Sequence, residues 1–345
     1  MGRKIFWASL ALTPAVLLVR YGFGVEGTPV FLLAAAALAP LAFLIGEATE
    51  NVAEHTGAGV GGFLNASFGN APELIIAVVA VGSHLPNVVR GSITGSVVST
   101  SLLVLGAALL AGGDGMLDQR SLLLQAGTIL LAVGLFLIPS IGGWHGDPDR
   151  HELYVVTVPI AAVLLLVYVG VTAHNLRIQS EATRAVARLD AWPLRTGLAV
   201  LGAATVATAL VSEVLVHSLT AFGHALGLSD FFVAAVIVAL VGNAAEHGAA
   251  IVVAHRGNTR LGAEVAISSA TQVAVLVAPA IALLSPLVGH PLPLSFRPVE
   301  IVTMAVGAAA ASFVVLDGRG KRSEGWVLIA LYACAVVAYW FAGDR

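Results

Sequence analysis

FGNAPE at residues 68–73 and VGNAAE at residues 241–246 are the two stretches that decide how this chain folds. Both follow the pattern G-N-A-x-E, and the second lies 173 residues after the first. An apolar span with another glutamate, Glu50 or Glu213, precedes each copy, and a span rich in Ser, Thr and Gln follows each. The same order of features in both halves predicts an internal repeat.

The composition places both copies in a membrane protein. Of the 345 residues, 58% are hydrophobic and 11% are charged, and the mean hydropathy is +0.93. Soluble domains carry about 25% charged residues, whereas apolar stretches of about 20 residues match a bilayer core of roughly 30 Å. A net charge of −3 argues against a nucleic-acid partner, and the single Cys334 excludes an internal disulfide.

Apolar runs between polar segments predict an all-α polytopic protein of about eleven transmembrane helices. The expected spans are 5–20, 29–52, 60–83, 93–112, 121–141, 152–174, 196–222, 231–254, 262–286, 298–316 and 325–342. Five spans separate equivalent positions, and an odd number inverts the second copy relative to the first. The predicted organisation is a leading helix at 1–28, a five-helix repeat at 29–174, a cytoplasmic linker at 175–195 and a second repeat at 196–345.

The distribution of basic residues predicts the orientation. Twelve of the 17 Lys and Arg residues fall on the side of the N-terminus, which the positive-inside rule assigns to the cytoplasm. The C-terminus is then outside. Arginine greatly outnumbers lysine, which is typical of a GC-rich prokaryotic genome and predicts a prokaryotic plasma membrane.

Five glutamates fall well inside the predicted spans, and no Lys or Arg lies comparably deep. They are Glu47, Glu50, Glu73, Glu213 and Glu246. An ionised side chain at the bilayer centre costs about 2.5–3.5 kcal/mol on insertion scales. Unpaired acids at that depth need protons or a metal ion, so the sequence predicts a cation site.

Glu73 and Glu246 are the strongest candidates for that site. Each lies near mid-span, three residues after Asn70 or Asn243, so both side chains of a copy share one helical face. The glycine before each asparagine and the proline of the first copy weaken the helix, which frees backbone carbonyl oxygens for an ion. Carboxylate, amide and carbonyl oxygens suit Ca²⁺, which takes six to eight such ligands. The alternative to a cation site is a structural role, in which the two acids are protonated and only hold neighbouring helices together.

Further residues are expected around this site. The access or gating candidates are Glu50, Glu213 and His247, and the cavity-lining candidates are Gly69, Gly242, Ser99, Thr100, Thr271 and Gln272. Each also has a structural interpretation: a histidine in a membrane span is often only hydrogen-bonded, and small residues let membrane helices pack closely. Glu47 has no counterpart in the second half, and its role is left open.

At these residues the chain resembles the cation/proton exchanger family of Ca²⁺/H⁺ antiporters, within the Ca²⁺/cation antiporter superfamily. The resemblance rests on GEATE at 46–50, NASFGNAPEL at 65–74, Ser212-Glu213, GNAAEH at 242–247 and SATQ at 269–272. It implies that Glu73 and Glu246 bind Ca²⁺ or protons in turn, with Asn70 and Asn243 as co-ligands and Glu50 and Glu213 on the access route.

Two departures from that family bear on the ligands. The chain has STSL at 99–102 where the family usually has S-N-L-L, so one amide is missing. The linker also holds only Glu181 and Asp190 among its arginines, so a regulatory Ca²⁺ site is not expected there.

The interpretation that follows is exchange by alternating access. Ca²⁺ or protons neutralise the two carboxylates and let the site change its side of access, whereas the empty, charged site does not cross. The alternatives are a Na⁺/Ca²⁺ exchanger and a cation channel. A membrane hydrolase is disfavoured, because neither H-E-x-x-H nor G-x-S-x-G occurs. No cofactor is expected beyond the transported ions, and selectivity among Ca²⁺, Mn²⁺, Na⁺ and K⁺, stoichiometry and homo-oligomerisation are left open.

Overall fold

The computed structural model describes residues 3–179 and 192–344, which form twelve helices and one short pair of strands. The helices are α1 (Lys4–Gly22), α2 (Thr28–Phe68), α3 (Ala71–Gly82), α4 (Pro86–Gly112), α5 (Gln119–Gly143), α6 (His151–Gln179), α7 (Leu194–Leu226), α8 (Asp230–Gly242), α9 (Ala244–His255), α10 (Thr259–Val288), α11 (Pro298–Val315) and α12 (Arg322–Ala342). β1 (Gly115–Met116) pairs antiparallel with β2 (Arg319–Gly320). The all-α prediction is confirmed.

The number of membrane crossings is close to the predicted one. Within the described residues, nine helices are long and apolar enough to cross a bilayer, and ten if α8 and α9 form one span bent by 59°. An eleventh crossing needs the short apolar helix α3 to combine with the end of α2. Eleven therefore stays a prediction.

The boundary between the second and third predicted spans is wrong. The sequence predicts separate spans at 29–52 and 60–83, but α2 continues through the segment between them to Phe68, over 41 residues, or about 60 Å at 1.5 Å per residue. Glycine lowers helix stability without blocking the helix. Proline inside a helix removes the hydrogen bond to the carbonyl four residues earlier but is tolerated in the first turn, and the break at Gly69–Asn70 accordingly places Pro72 in the first turn of α3.

Contacts between loops define two ends of the bundle. At one end, the histidine face, loops 83–85, 144–150, 227–229 and 289–297 lie together: the rings of His84 and His290 are 3.7 Å apart, and Arg90 pairs with Asp149. Asp344 joins this end by accepting hydrogen bonds from the backbone at the start of α8. The other end, the strand face, holds β1 and β2 with loops 113–118, 256–258 and 316–321.

The helices that carry the two G-N-A-x-E motifs run in opposite directions. α3 ends at the histidine face, whereas α8 begins there and α9 ends at the strand face. An inverted repeat requires this relation. The five-helix division at 29–174 and 196–345 stays a prediction, and most of the linker, 180–191, lies outside the described residues.

The two halves also share local backbone geometry. Asn70 has φ −95° and ψ 14°, and Asn243 has φ −90° and ψ 16°. Both lie in the sparsely populated bridge region, where active-site residues are often found. The helix that follows each motif contains a π-helical segment, Ser99–Val104 in α4 and Val273–Val277 in α10, and such segments are frequent at functional sites.

Small residues bring the two halves into close contact at α4 and α8. A Cβ atom on Gly95 would lie 1.9 Å from the backbone oxygen of Ala235, and one on Gly91 would lie 2.9 Å from that of Phe231. Gly91 and Gly95 have the G-x-x-x-G spacing that lets membrane helices approach closely. This contact fixes α8, which ends just before Asn243, against α4.

Candidate functional site

The two helix breaks meet in the centre of the bundle and bring the predicted ligands together. Glu73 is 8% exposed, and Asn70 and Asn243 are 2% and 0% exposed. The carboxylate of Glu73 lies over the backbone of Gly242, where a Cβ atom would be 3.5 Å from Oε1. Glu246 is half-buried and close enough to interact electrostatically with Glu73. The motif of each half therefore contributes to a single site.

Hydrogen bonds cross between the halves at this site. Asn70 Nδ2 donates to Gln272 Oε1 at 2.6 Å, so the first motif bonds to the second half. Asn243 Nδ2 donates to Ser96 Oγ at 2.8 Å, so the second motif bonds to the first half. Ser269 Oγ adds a longer bond of 3.5 Å to Asn243 Oδ1. Each motif is thus anchored by the polar helix of the opposite half.

The charges at this site are not balanced by protein groups. Within the described part of the chain, neither carboxylate oxygen of Glu73 accepts a hydrogen bond, nor does Glu246 Oε2. An ionised carboxylate that is buried without a partner is strongly unfavourable. The described residues contain no cluster of three or more His, Cys, Asp or Glu arranged for a metal, but two carboxylates with Asn, Gln and Ser oxygens are the hard donors that Ca²⁺ prefers. The pair requires protons or a cation for neutrality.

A small cavity adjoins Glu73 on the side of the histidine face. Its volume is about 10 Å³, close to that of one water-sized sphere. Its polar lining comes from Glu73, Ser92, Ser96 and the backbone of Gly242, and apolar side chains of α3, α4, α8 and α10 complete it. The cavity has room for a single small occupant beside the carboxylate.

The predicted lining residues separate into two groups. Gly242 lines the cavity, and Gln272 belongs to the hydrogen-bond network. Ser99, Thr100 and Thr271 are buried, but their hydroxyls donate to backbone carbonyls: Ser99 and Thr100 to Ser96, and Thr271 to Ile267 and, at 3.3 Å, to Gln125 of α5. Gly69 lies at the break between α2 and α3 and does not border the cavity. The structure does not bring Ser99, Thr100, Thr271 or Gly69 to this cavity.

Ser92 and Ser96 are the site residues that the sequence analysis did not select. They are four residues apart on α4, and both line the cavity. Two signals could have identified them: the one-turn spacing, and the offset of 173 residues between Ser96 and Ser269, which equals the offset between the motifs.

The access candidates lie outside the central cluster. Glu50 on α2 and Glu213 on α7 are exposed on the surface of the bundle, and neither borders the cavity. Glu47 is half-buried on α2. His247 is half-buried beside Glu246, and within the described residues its Nε2 has no hydrogen-bond partner. The access roles of Glu50, Glu213 and His247 stay predictions.

One family model and several known proteins match most of this chain. The family model described as sodium/calcium exchanger protein matches residues 27–177 and 196–341. A Ca²⁺/H⁺ antiporter of Aphanothece halophytica is 34% identical, with 98% of this chain and 96% of that protein covered. A Ca²⁺/H⁺ antiporter of Synechocystis is 33% identical, with 98% and 97% covered.

Solved structures show the same fold. Native YfkE has a TM-score of 0.83 and 28% identity, with 98% of this chain and 99% of that chain covered. The H⁺/Ca²⁺ exchanger CAX has a TM-score of 0.71 at 16% identity, with 99% and 92% covered. The sodium-calcium exchanger NCX_Mj has a TM-score of 0.55 at 20% identity, with 89% and 97% covered. The latter two likenesses concern the fold alone.

Proposed function

We propose that this chain, which belongs to the sodium/calcium exchanger protein family, exchanges Ca²⁺ for H⁺ across a membrane. Relatives at 33–34% identity over nearly the whole chain are named Ca²⁺/H⁺ antiporters. The observation that carries the proposal is the Glu73–Glu246 pair. Glu73 is buried against Gly242, interacts electrostatically with Glu246, and has no hydrogen-bond partner for its carboxylate among the described residues.

Alternating occupancy of this pair explains the exchange. Ca²⁺ would be held by the two carboxylates together with side-chain oxygens of the surrounding Asn, Gln and Ser residues. When Ca²⁺ leaves, the two buried negative charges repel each other, and protons bind to the pair as a coupled system. Either occupant lets the site change its side of access, whereas the empty site is too costly to bury. Two protons for each Ca²⁺ would leave the charge of the site unchanged.

We also propose in which membrane the protein lies and which of its ends faces the cytoplasm. The excess of Lys and Arg on the side of the N-terminus supports a cytoplasmic N-terminus and a C-terminus outside. Because Asp344 contacts the start of α8, the histidine face is then the outer face. Bacterial relatives, including Bacillus subtilis ChaA at 33% identity, support a prokaryotic plasma membrane.

The nearest alternative is a Na⁺/Ca²⁺ exchanger of the same family, which the shared fold of NCX_Mj keeps open. A flux assay separates the candidates. Purified protein is reconstituted into liposomes that hold a pH-sensitive dye, and Ca²⁺, Mn²⁺, Na⁺ or K⁺ is added outside. We expect Ca²⁺ to drive proton movement without Na⁺. Ca²⁺ flux that depends on Na⁺ would indicate the alternative, and Ca²⁺ flux without counter-movement of protons or Na⁺ would indicate a channel.

A further inference from the structure

We infer that Arg90, bonded to Asp149 and to the backbone of Pro293, is a positioning residue that holds the ion path closed at its mouth, the opening at the histidine face. The contacts of Arg90 with Asp149 and Pro293 are called the latch below. This inference rests on the proposed function, because a gate has a role only where the central site must open alternately to the two sides of the membrane.

A second cavity marks the mouth. It has a volume of about 380 Å³ and is lined at the histidine face by His84, Asp149, His290 and neighbouring apolar residues. It lies on a line with the small cavity beside Glu73, because Glu73, Ala77 and Val81 follow one another at four-residue spacing on α3. The first two of these side chains line the small cavity and the third lines the large one. The two cavities are successive chambers along one face of α3.

An apolar layer separates the chambers. Ile76 and Ile281 line the inner chamber, and Val81 and Leu292 line the outer one. These four side chains are buried, with 3% exposure or less. A hydrated cation cannot cross such a layer unless the segments that carry these side chains move apart. The closed path therefore needs a contact that holds the segments around the outer chamber together.

Arg90 supplies that connection. Its side chain is 2% exposed at the start of α4. Its Nη2 atom pairs with the carboxylate of Asp149 in the loop between α5 and α6, and donates to the carbonyl oxygen of Pro293 before α11 at 3.3 Å. One guanidinium group thus joins three segments that surround the outer chamber, two from the first half and one from the second.

Two features indicate that the contacts of Arg90 can break and re-form: nitrogen atoms on Arg90 itself that are unpaired among the described residues, and backbone strain at the neighbouring His84. Arg90 Nε and Nη1 have no hydrogen-bond partner within the described residues, so the closed form leaves part of a buried cation unsatisfied. Buried polar groups are nearly always hydrogen-bonded, and exceptions are strained or functional. His84, which contacts His290 at the mouth, has φ +59° and is the one non-glycine residue with positive φ in the described chain. Such backbone strain is common at switch regions.

The test measures access to the inner chamber. Ser92, which lines that chamber, is changed to Cys in a Cys334→Ala background. The rate at which a charged, membrane-impermeant methanethiosulfonate modifies this cysteine is followed in purified protein in detergent. Asp149→Asn weakens the latch, and we expect the rate to rise at least about tenfold, since a hydrogen bond to a charged group is typically worth that shift in population.

Two variants control for general loosening. Asp149→Glu keeps the carboxylate and is expected to restore a rate close to that of the parent. Glu152→Gln removes an exposed carboxylate three residues away, and is expected to leave the rate unchanged. An unchanged rate in Asp149→Asn, or an equal rise in Glu152→Gln, would overturn the latch.

The outcome does not depend on whether the transported ion is identified correctly. If the cysteine becomes accessible in Asp149→Asn but reconstituted wild-type protein moves no Ca²⁺ against protons, the latch stands and the proposed exchange is wrong. If exchange occurs and accessibility does not change, the proposed function stands and the latch is wrong.

Discussion

At the scale of single residues, the two glutamates and the polar groups around them determine what the protein can bind. Glu73, Glu246, Asn70 and Asn243 could be selected from the sequence because acids and amides in apolar spans are costly and therefore conspicuous. Ser96 could not be selected in the same way, since serine is common in membrane helices for packing reasons. Its hydrogen bond to Asn243 depends on how two distant helices meet.

The first prediction concerns the two glutamates. Glu73→Gln and Glu246→Gln should each abolish Ca²⁺-driven proton flux in proteoliposomes, because glutamine keeps the side-chain volume but cannot ionise. Glu54→Gln, at an exposed position on α2, is the matched control and should transport at the wild-type rate. Wild-type exchange by either central variant would show that its carboxylate is not required.

The second prediction concerns Ser96. Ser96→Ala removes one of the two acceptors of the Asn243 amide nitrogen, the other being the carbonyl oxygen of Ala239. The lost hydrogen bond is worth about 1 kcal/mol, so the Ca²⁺ concentration for half-maximal exchange should rise roughly fivefold. The control is Ser312→Ala, since the Ser312 hydroxyl donates to its own helix at Ala308. Equal half-maximal concentrations for Ser96→Ala and wild type would remove Ser96 from the site.

At the scale of helices, the helix breaks and the close contacts between helices position the site. Some of these features could be predicted from the sequence, and others could not. A proline inside a helix removes a backbone hydrogen bond, so a break near Pro72 was recognisable, whereas the matching break at Asn243 has no proline after it. The continuation of α2 through the glycine-rich segment 57–62 was not recognisable, because apolar periodicity cannot show whether glycines bend a helix or only weaken it. The π-helical segments of α4 and α10 likewise have no signal in a single sequence.

The third prediction tests the contact between α4 and α8. Gly95→Ala places a methyl group 1.9 Å from the backbone of Ala235, so the helices must separate, and overpacking of this kind costs about 1–3 kcal/mol. We expect a lower thermal midpoint in detergent together with weaker Ca²⁺ affinity. Gly127→Ala, where an added Cβ contacts nothing within 4 Å, should be neutral or stabilising. A midpoint for Gly95→Ala at or above that of Gly127→Ala would contradict the close approach.

At the scale of the whole molecule, the membrane class and the paired motifs could be predicted from composition and repetition. The fold then explains why the motifs form one site, since their helices run in opposite directions and meet at their breaks. The number of crossings could not be fixed by apolar length alone, because α3 has only 12 residues and a bilayer requires about 20.

The fourth prediction concerns the orientation of the whole bundle. Single cysteines are introduced at His145 on the histidine face and at Met116 on the strand face, in a Cys334→Ala background. Both positions are exposed. Only His145→Cys should react with an impermeant maleimide applied to intact cells, because the basic residues place the strand face in the cytoplasm. Reaction at Met116→Cys alone would reverse the orientation.

The central claim is that Ca²⁺ and protons occupy the same two carboxylates, and proton release on Ca²⁺ binding tests it most directly. Purified protein in weakly buffered detergent solution is mixed with Ca²⁺ at a pH where the pair is protonated, and the released protons are counted with a pH indicator. We expect about two protons per bound Ca²⁺ in the wild type, one from each member of the coupled pair, and fewer in Glu73→Gln. Ca²⁺ binding at full stoichiometry without proton release across the acidic and neutral range would contradict a shared site.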